Sequence, residues 1–187
     1  MNTGVIVLAA GRSQRFGSDK RSVRLPDGRQ MINATVSNAR ASGLPLLVCL
    51  GPDDHQLAAD LVAPGISCLQ CRHAADGMGA TLAEGIRSIG QWDGALVALA
   101  DMPWILPGTY QQVAMALTRE TIVQPHYRNE PGHPVGFGAE FFAALGALTG
   151  DVGGRHLLAE NPDKLRRVDV TDAAIHRDVD RPRDIRG

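Results

Sequence analysis

The sequence predicts an α/β fold in which a mostly parallel, twisted sheet is flanked by helices. Short apolar runs, such as residues 5–9, which are rich in β-branched side chains, and the segment Leu46–Leu50, alternate with segments of helical spacing, such as Met31–Ala41. This alternation is typical of βαβ units, whose strands run parallel. The 187 residues suffice for one substantial core and contain no repeat or linker, so we expect one domain over residues 1–187.

Each predicted element has a local reason in the sequence. Gly43 and Pro45 end the first helix, and Asp53 or Asp54 is placed to cap the second. Pro103 stops a strand that it closely follows. Strands are predicted at residues 5–9, 46–50, 66–70, 95–100, 122–125, 165–170 and 175–179, with a turn into a further strand over 127–137. Helices are predicted at residues 31–41, 53–62, 107–117, 140–148 and 155–160, and one more carries Leu82, Ile86 and Ile89 on one face.

Composition excludes several classes of protein. The formal net charge of −1 argues against a general nucleic-acid binder, which would carry a basic excess. No apolar run approaches the roughly 20 residues that span a bilayer, so no membrane association is expected. The first strand begins at once, without a cationic segment and cleavage site, so we expect a cytoplasmic protein.

A loop of small and cationic residues follows the first predicted strand. Ala9, Ala10 and Gly11 let the backbone turn sharply and approach a ligand closely. Residues 12–29 carry six cations against two anions, which favours a bound polyanion. Amides and arginines together suit a polyphosphate, because each hydrogen bond to a charged group contributes roughly 1.5–3 kcal/mol. The six cations are Arg12, Arg15, Lys20, Arg21, Arg24 and Arg29.

This loop is neither of the two common phosphate-binding motifs. A Walker loop has four residues between its glycines, whereas five separate Gly11 from Gly17, and Lys20 comes three residues later. The three spaced glycines of a dinucleotide fingerprint are also missing. Ser13 is placed to cap a helix after the turn, which would aim a positive helix end at the ligand. An ordinary strand-to-helix turn with solvated cations remains the alternative.

Two later segments place polar groups at the ends of predicted strands. Residues 76–82 include Gly77 and Gly79 and open a helix, so a ligand at the helix N-terminus and a plain connection are both possible. Asp101 directly follows the strand at residues 95–100 and therefore lies at the carboxyl edge of the sheet, where α/β proteins bind ligands. A carboxylate in this apolar context needs a partner such as a hard cation, although capping of the next turn is an alternative.

The remaining candidates are less specific. His133 is either a structural hydrogen-bonding residue or a donor to a substrate phosphate. Cys68 and Cys71 form a single CxxC, and Cys49 lies in an apolar strand. We expect buried or reduced thiols here rather than a zinc site, and redox chemistry at the CxxC is a minor alternative.

Residues 8–20, LAAGRSQRFGSDK, resemble the signature loop of the MobA-like nucleotidyltransferases, usually LAAG-x-S-x-R-M-G-x-x-K. Phe16 stands where Met is usual. Three further segments match in the same order: GMGATL at 77–82, LADMP at 99–103 and PGHP at 131–134. The similarity extends over residues 5–185 and is greatest to the molybdenum-cofactor cytidylyltransferases. It implies a single-domain Rossmann-like nucleotidyltransferase fold with a small antiparallel part near residues 122–137.

The resemblance also implies roles for individual residues. Arg15 and Lys20 would hold the triphosphate and stabilise the leaving pyrophosphate, with Asp101 as the third catalytic residue. Asp101 and Asp180 would bind Mg²⁺. Around Asp180 two family positions differ, because Arg181 replaces Thr and Arg183 replaces Glu, and a solvated charged tail is the alternative. The implied nucleotide-binding residues are Leu8, Ala9, Ala10, Gly11, Arg12, Ser13, Arg15, Lys20 and Gly77. The implied acceptor-binding residues are Met78, Gly79, Thr81, Gly132, His133 and Pro134. Asp151 and Arg155 are implied to shape the acceptor side, and the alternative for Asp151 is that it only orders its glycine-rich turn.

The function implied by the resemblance is transfer of CMP from CTP to the phosphate of molybdopterin or molybdenum cofactor, with release of pyrophosphate. In this family the LAAG form of the loop accompanies cytidine and LAGG accompanies guanosine, so Ala10 favours CTP. Possible partners are a molybdoenzyme or its chaperone. The alternatives are GTP or another nucleotide as donor, a sugar phosphate or other small phosphate as acceptor, and a nucleotide-binding or chaperone module without catalysis.

Overall fold

The computed structural model describes residues 1–11 and 19–186, and these residues form a sheet of eight strands with helices against both faces. The strands are β1 Thr3–Leu8, β2 Leu46–Leu50, β3 Ile66–Gln70, β4 Gly94–Leu99, β5 Ile122–Tyr127, β6 Glu130–Pro131, β7 Val135–Gly138 and β8 Leu165–Asp169. The α-helices are α1 Met31–Ala41, α2 His55–Asp60, α3 Met78–Ser88, α4 Pro107–Ala116, α5 Phe142–Gly146 and α6 Arg155–Glu160. Arg12, Ser13 and Arg15 lie outside the described residues.

The sheet has a parallel half and a mixed half. Its strand order is β3-β2-β1-β4-β7-β5-β6, with β8 paired to β5. Strands β1 to β4 pair in parallel, whereas β7 is antiparallel to both β4 and β5, and β6 is antiparallel to β5. The α/β fold with a mostly parallel sheet is thereby confirmed, and so is the small antiparallel part near residues 122–137.

The order of the parallel strands determines where a ligand can bind. From β1 the chain moves outward to β2 and β3, then returns across β1 to form β4 on its other side. Crossovers of this kind leave a crevice between the two central strands at their carboxyl ends. That crevice lies beyond Leu8 on β1 and beyond Leu99 on β4, which pair with each other.

Alternating side chains of β1 build a core on each face of the sheet. Val5 and Val7 belong to a cluster that includes α1 and α4, whereas Ile6 and Leu8 belong to one that includes α3, α5 and α6. This period of two is what a strand buried on both faces requires. A third, smaller cluster fixes the C-terminal segment, because Val179 is buried there with Leu25, Met31 and Ala34.

Two predicted elements near the C-terminus differ from the structure. The strand predicted at residues 175–179 is wrong: Ala173–His176 is a 3₁₀ helix whose start Asp172 caps by accepting from the Ala174 amide. The apolar pattern that suggested a strand comes from Ile175 and Val179, which are both buried in the interior. Neither residue pairs with any strand that the structure describes. The helix predicted at 140–148 is a 3₁₀ turn, Ala139–Phe141, followed by the short α5.

None of the helices in the described part of the chain is both long and apolar enough to cross a membrane.

Gly138, at the end of β7, provides a test of how tightly the mixed half of the sheet is packed. A methyl group there would overlap the backbone of Thr118 and Arg119, which cannot swing aside as a flexible side chain does. We expect Gly138→Ala to lower the free energy of unfolding by about 1–3 kcal/mol, measured by urea denaturation. Gly108 in α4 has open space around it, so Gly108→Ala should instead raise stability by roughly 0.4–1 kcal/mol. Equal effects of the two substitutions would contradict the packing described here.

Candidate functional site

A cavity of about 570 Å³ opens at the carboxyl ends of β1 and β4. The small residues Ala9, Ala10 and Gly11, which follow β1, form one wall, where Gly11 is exposed, and the segment that opens α3 forms the opposite wall. Of the residues predicted for the site, those that line the cavity are Leu8, Ala9, Ala10, Gly11, Lys20, Gly77, Met78, Thr81, Asp101 and Asp151.

Lys20 and Asp101 form the central contact of this site. Lys20 lies in the 3₁₀ turn Lys20–Ser22, and its Nζ donates to Asp101 Oδ2 at 2.7 Å and to the Val179 carbonyl at 3.1 Å. The same ammonium lies 3.6 Å from Asp180 Oδ1. One cation therefore faces both carboxylates that the sequence predicted as metal ligands, although more than 80 residues separate it from either of them.

Asp101 has an oxygen that fits a bound cation. Its Oδ1 is buried and has no hydrogen-bond partner among the described residues. A buried carboxylate oxygen without a partner is unfavourable, and a hard divalent ion would satisfy it. Within the described ranges no group of three or more His, Cys, Asp or Glu side chains could hold a metal. Two carboxylates would thus leave further metal positions to phosphate oxygens or water, as is common for Mg²⁺.

The C-terminal segment brings Asp180 to the site through backbone contacts. The Val179 amide donates to the Asp101 carbonyl at 2.9 Å, which joins this segment to the end of β4. Asp184, which the sequence analysis did not single out, accepts from the amides of Asp180 and Arg181 at 3.1 and 2.7 Å. Asp180 itself is half exposed and lines a second cavity of about 480 Å³.

Asp178 also lines this second cavity. Burial raises the pKa of its carboxyl group, and the nearby negative charges of Asp180 and Asp101 raise it further. The concentration of carboxylates around Lys20 is therefore higher than the sequence analysis recognised.

Arg21 lines the cavity as well, but its role differs from the one its sequence position suggested. Its guanidinium donates to Asp19, to Asp54 and to the Ala9 carbonyl, so the cation is already neutralised. Arg29 likewise pairs with Asp27. The positive excess counted over residues 12–29 is consequently not all available to a polyanion, because Arg21 and Arg29 are paired with carboxylates.

The opposite wall of the cavity rests on the loop that precedes α6. Gly77, with φ of 123°, leads into α3, where the Met78 amide donates to Asp151 Oδ1 at 3.2 Å and the Gly79 amide to the Gly150 carbonyl at 2.8 Å. The first amides of this helix are therefore occupied within the protein. Of the two possibilities left open for this helix start, the plain connection holds for these two amides, whereas Gly77 and Met78 do line the cavity.

The remaining predicted acceptor residues lie outside the cavity wall. Gly79 is buried under the loop, where a side chain would overlap the Val152 carbonyl, and Gly132 is buried against the backbone of Ile175. Pro134 is buried too. An acceptor role for these residues stays a prediction.

His133 lies close enough to the site for the charges of Asp101 and Asp178 to affect its pKa. Its Nδ1 is buried and lacks a hydrogen-bond partner among the residues described. Burial lowers the pKa of the imidazole, against the opposing effects of the Val97 backbone and of the charges on Asp101 and Asp178. The lowered pKa favours the neutral ring at pH 7, and its buried Nδ1 has no partner in the described ranges 1–11 and 19–186.

The CxxC pair is split between the two faces of the sheet. Cys68 packs against the α1 and α4 core, whereas Cys71 belongs to the core on the α3 face. Burial raises the pKa of Cys68, and a hydrogen bond with Cys71 together with burial raises that of Cys49. All three cysteines are free thiols, and these conditions disfavour a reactive thiolate.

Comparison with known proteins identifies the family. A sequence model of the MobA-like NTP transferase domain matches residues 5–167. No curated protein sequence matches the chain significantly. Among solved structures, Rv0371c of Mycobacterium tuberculosis H37Rv is 27% identical to this chain, with a TM-score of 0.84. The matched region covers 100% of this chain and 96% of the Rv0371c chain. A homologue from Mycobacterium sp. strain JC1 is 26% identical, with a TM-score of 0.82, and the match covers 99% of this chain and 93% of the homologue.

A nucleotidyl transferase from Methanothermobacter shares the fold at 21% identity and a TM-score of 0.81, covering 97% of this chain and 93% of its own. Rv0371c also has a structure in complex with manganese. The family match covers most of the chain and includes the strands that end at the cavity. The protein thus belongs to the MobA-like NTP transferase domain family, a family of nucleotidyltransferases, and this membership implies a nucleoside triphosphate as substrate.

Proposed function

We propose that the protein transfers CMP from CTP to the phosphate of a molybdopterin-type acceptor and releases pyrophosphate. The observation that carries this proposal is the 2.7 Å contact between Lys20 and Asp101 beside the exposed main chain of Gly11, in the wall of one cavity. A cation, a carboxylate and exposed main chain are the groups that a nucleotide with its metal ion requires. We propose the cytoplasm as the location and a molybdoenzyme or its chaperone as partner.

The reaction needs little from a protein base. The acceptor's phosphate monoester is largely dianionic at neutral pH, so its oxygen can attack the α-phosphorus without losing a proton to the protein. The new oxygen–phosphorus bond forms as the bond to the β-phosphate breaks, and pyrophosphate leaves with the electron pair. Catalysis then depends on in-line positioning and on neutralising charge. We assign these tasks to Lys20 and to Arg15, which lies outside the described residues.

Asp101 and Asp180 are the residues that would hold Mg²⁺. The unpartnered Oδ1 of Asp101 supports this assignment, and the manganese complex of Rv0371c is a precedent from a related structure. When bound, the ion would supply positive charge to the phosphate oxygens. Without it, Lys20 compensates both carboxylates, so we propose that Lys20 turns to the triphosphate when the nucleotide arrives.

The choice of base rests on Ala10. Ala10 lines the cavity, and we propose that its methyl group, which a glycine would lack, favours the smaller pyrimidine. The resemblance of LAAG to loops that accompany cytidine points the same way. The second candidate acceptor is a sugar phosphate or similar polyol phosphate. Its support is a fold neighbour at 14% identity and a TM-score of 0.75, the 4-diphosphocytidyl-2C-methyl-D-erythritolsynthase of Anaerococcus prevotii.

A nucleotide panel tests the donor and the acceptor together. With CTP, GTP, ATP and UTP, each with and without molybdenum cofactor, we expect pyrophosphate release to be highest for CTP and to depend on the cofactor. Ala10→Gly should narrow the preference for CTP over GTP, because one carbon in a pocket changes discrimination by roughly 10–200-fold. A strong preference of the parent protein for GTP would remove the proposed donor, and turnover with polyol phosphates alone would favour the second candidate.

Substitution of Asp101 tests the metal site. Asp101→Asn keeps the shape of the side chain but removes its charge, so we expect turnover to fall on the order of a hundredfold or more. Mn²⁺ binding, followed by electron paramagnetic resonance, should weaken in parallel. The control is Asp169→Asn, because Asp169 is an exposed carboxylate at the end of β8 with its own arginine partner. If the Asp101 variant turns over near the parent rate, the assignment is wrong.

Lys20→Met should affect metal binding and turnover in opposite directions. Without nucleotide, the Lys20 ammonium competes with a divalent ion for Asp101 and Asp180, so its removal should tighten Mn²⁺ binding on the order of tenfold. Turnover should fall because the triphosphate loses a cation. Weaker Mn²⁺ binding to the nucleotide-free variant would contradict the competition.

A further inference from the structure

Every N–H of the Arg21 guanidinium has a partner inside the protein. Its Nε donates to Asp19 Oδ1, and its Nη2 donates to Asp19 Oδ2 and Asp54 Oδ1, each at 2.8 Å. Its Nη1 donates to the Ala9 carbonyl at 2.8 Å and to Asp54 Oδ2. A guanidinium has five N–H groups, so none remains to bind a phosphate, although Arg21 lines the cavity.

The three partners belong to three separate segments around the cavity. Ala9 follows β1 and begins the small-residue wall, and Asp19 caps the 3₁₀ turn that carries Lys20. Asp54 follows β2, and it is held in place because its Oδ2 accepts from the Gly51 amide at 2.7 Å. Asp54 therefore does not cap α2 with its side chain, as its position suggested, but supports Arg21.

The electrostatics of this group do not favour a direct role in anion binding. Two carboxylates surround one guanidinium, so the group carries a net negative charge. Burial lowers the pKa of Arg21, but the hydrogen bonds to Asp19 and Asp54 outweigh it and raise the pKa. Arg21 is 13% exposed and stays charged and fixed. A lysine in its place would offer three donors from one point and could not reproduce the planar, forked contacts.

We propose that Arg21 is a positioning residue of the polyphosphate site. Its guanidinium fixes the Ala9 wall and the Lys20 turn to the end of β2, so that Lys20 is directed into the cavity without contact between Arg21 and substrate. The inference rests on one part of the proposed function, which is that the cavity binds linked phosphates. It does not depend on which base or which acceptor the protein uses.

Two substitutions separate positioning from charge. Asp54→Asn removes a negative charge close to the cavity, so a purely electrostatic role predicts tighter binding of an anion. Arg21→Lys keeps the positive charge, so the same role predicts unchanged binding. Positioning predicts that both variants bind more weakly, because each breaks the forked contacts that orient Lys20. Misplacement of a binding group by about 1 Å changes such functions by up to a hundredfold, and we expect losses on the order of tenfold.

The probe is inorganic pyrophosphate with Mg²⁺, titrated by calorimetry against the full chain. The control is Arg119→Met, which removes an arginine–aspartate pair with Asp93 beside the start of β4, at the opposite edge of the sheet. This variant should bind pyrophosphate like the parent. Melting temperatures, measured in parallel, ensure that every variant is compared while folded.

Binding of pyrophosphate as tight as in the parent, in either Asp54→Asn or Arg21→Lys, would overturn the positioning role. A parent protein that does not bind pyrophosphate would overturn both this inference and the assignment of the cavity. A preference for a base other than cytosine would remove the proposed donor and leave this inference intact, because pyrophosphate carries no base.

Discussion

The site depends on one constraint, which is that Lys20 and Asp101 must meet across the crevice between β1 and β4. Their 2.7 Å contact joins a turn near the start of the chain to the end of the fourth strand. The backbone of Val179 also connects the two residues, because its amide donates to the Asp101 carbonyl and its carbonyl accepts from Lys20. One strand end thus positions a cation and a second carboxylate, which are the charges that nucleotidyl transfer uses.

Around this contact the protein balances its charges locally. Lys20 is shared between Asp101 and Asp180, and Arg21 is enclosed by Asp19 and Asp54. Buried or half-buried charges need such partners, since an unpaired one would shift its pKa or destabilise the fold. In the free protein the charges of Lys20 and Arg21 are therefore balanced by carboxylates. The unpartnered oxygen of Asp101 marks where an additional cation would be most favourable.

Much of the fold could be predicted because its signals are local. The bounds of β2, β3, α1 and α6 agree with prediction, since alternating or helical spacing of apolar residues and the flanking glycine and proline residues determine them. The strand prediction at residues 175–179 failed because Ile175 and Val179, two separate buried residues, have the even spacing that is typical of a strand. The contacts of Arg21 were not predicted, because Ala9 and Asp54 lie in segments that no local pattern connects to it. Asp184 was also missed, although the two amides that donate to it, those of Asp180 and Arg181, lie close to it in sequence.

The sequence by itself determined that an α/β sheet ends in small residues at one strand and in Asp101 at another. Parallel strands share one carboxyl edge, so these groups had to lie on the same side of the molecule. The tertiary structure decided which charges face the cavity and which are already paired. Lys20 and Arg21 are neighbours in sequence with the same charge, yet Lys20 points to Asp101 and Asp180, whereas all N–H groups of Arg21 are taken by Asp19, Asp54 and Ala9. Counting charges along the chain cannot separate them, because the partners that neutralise an ion are brought to it by the fold.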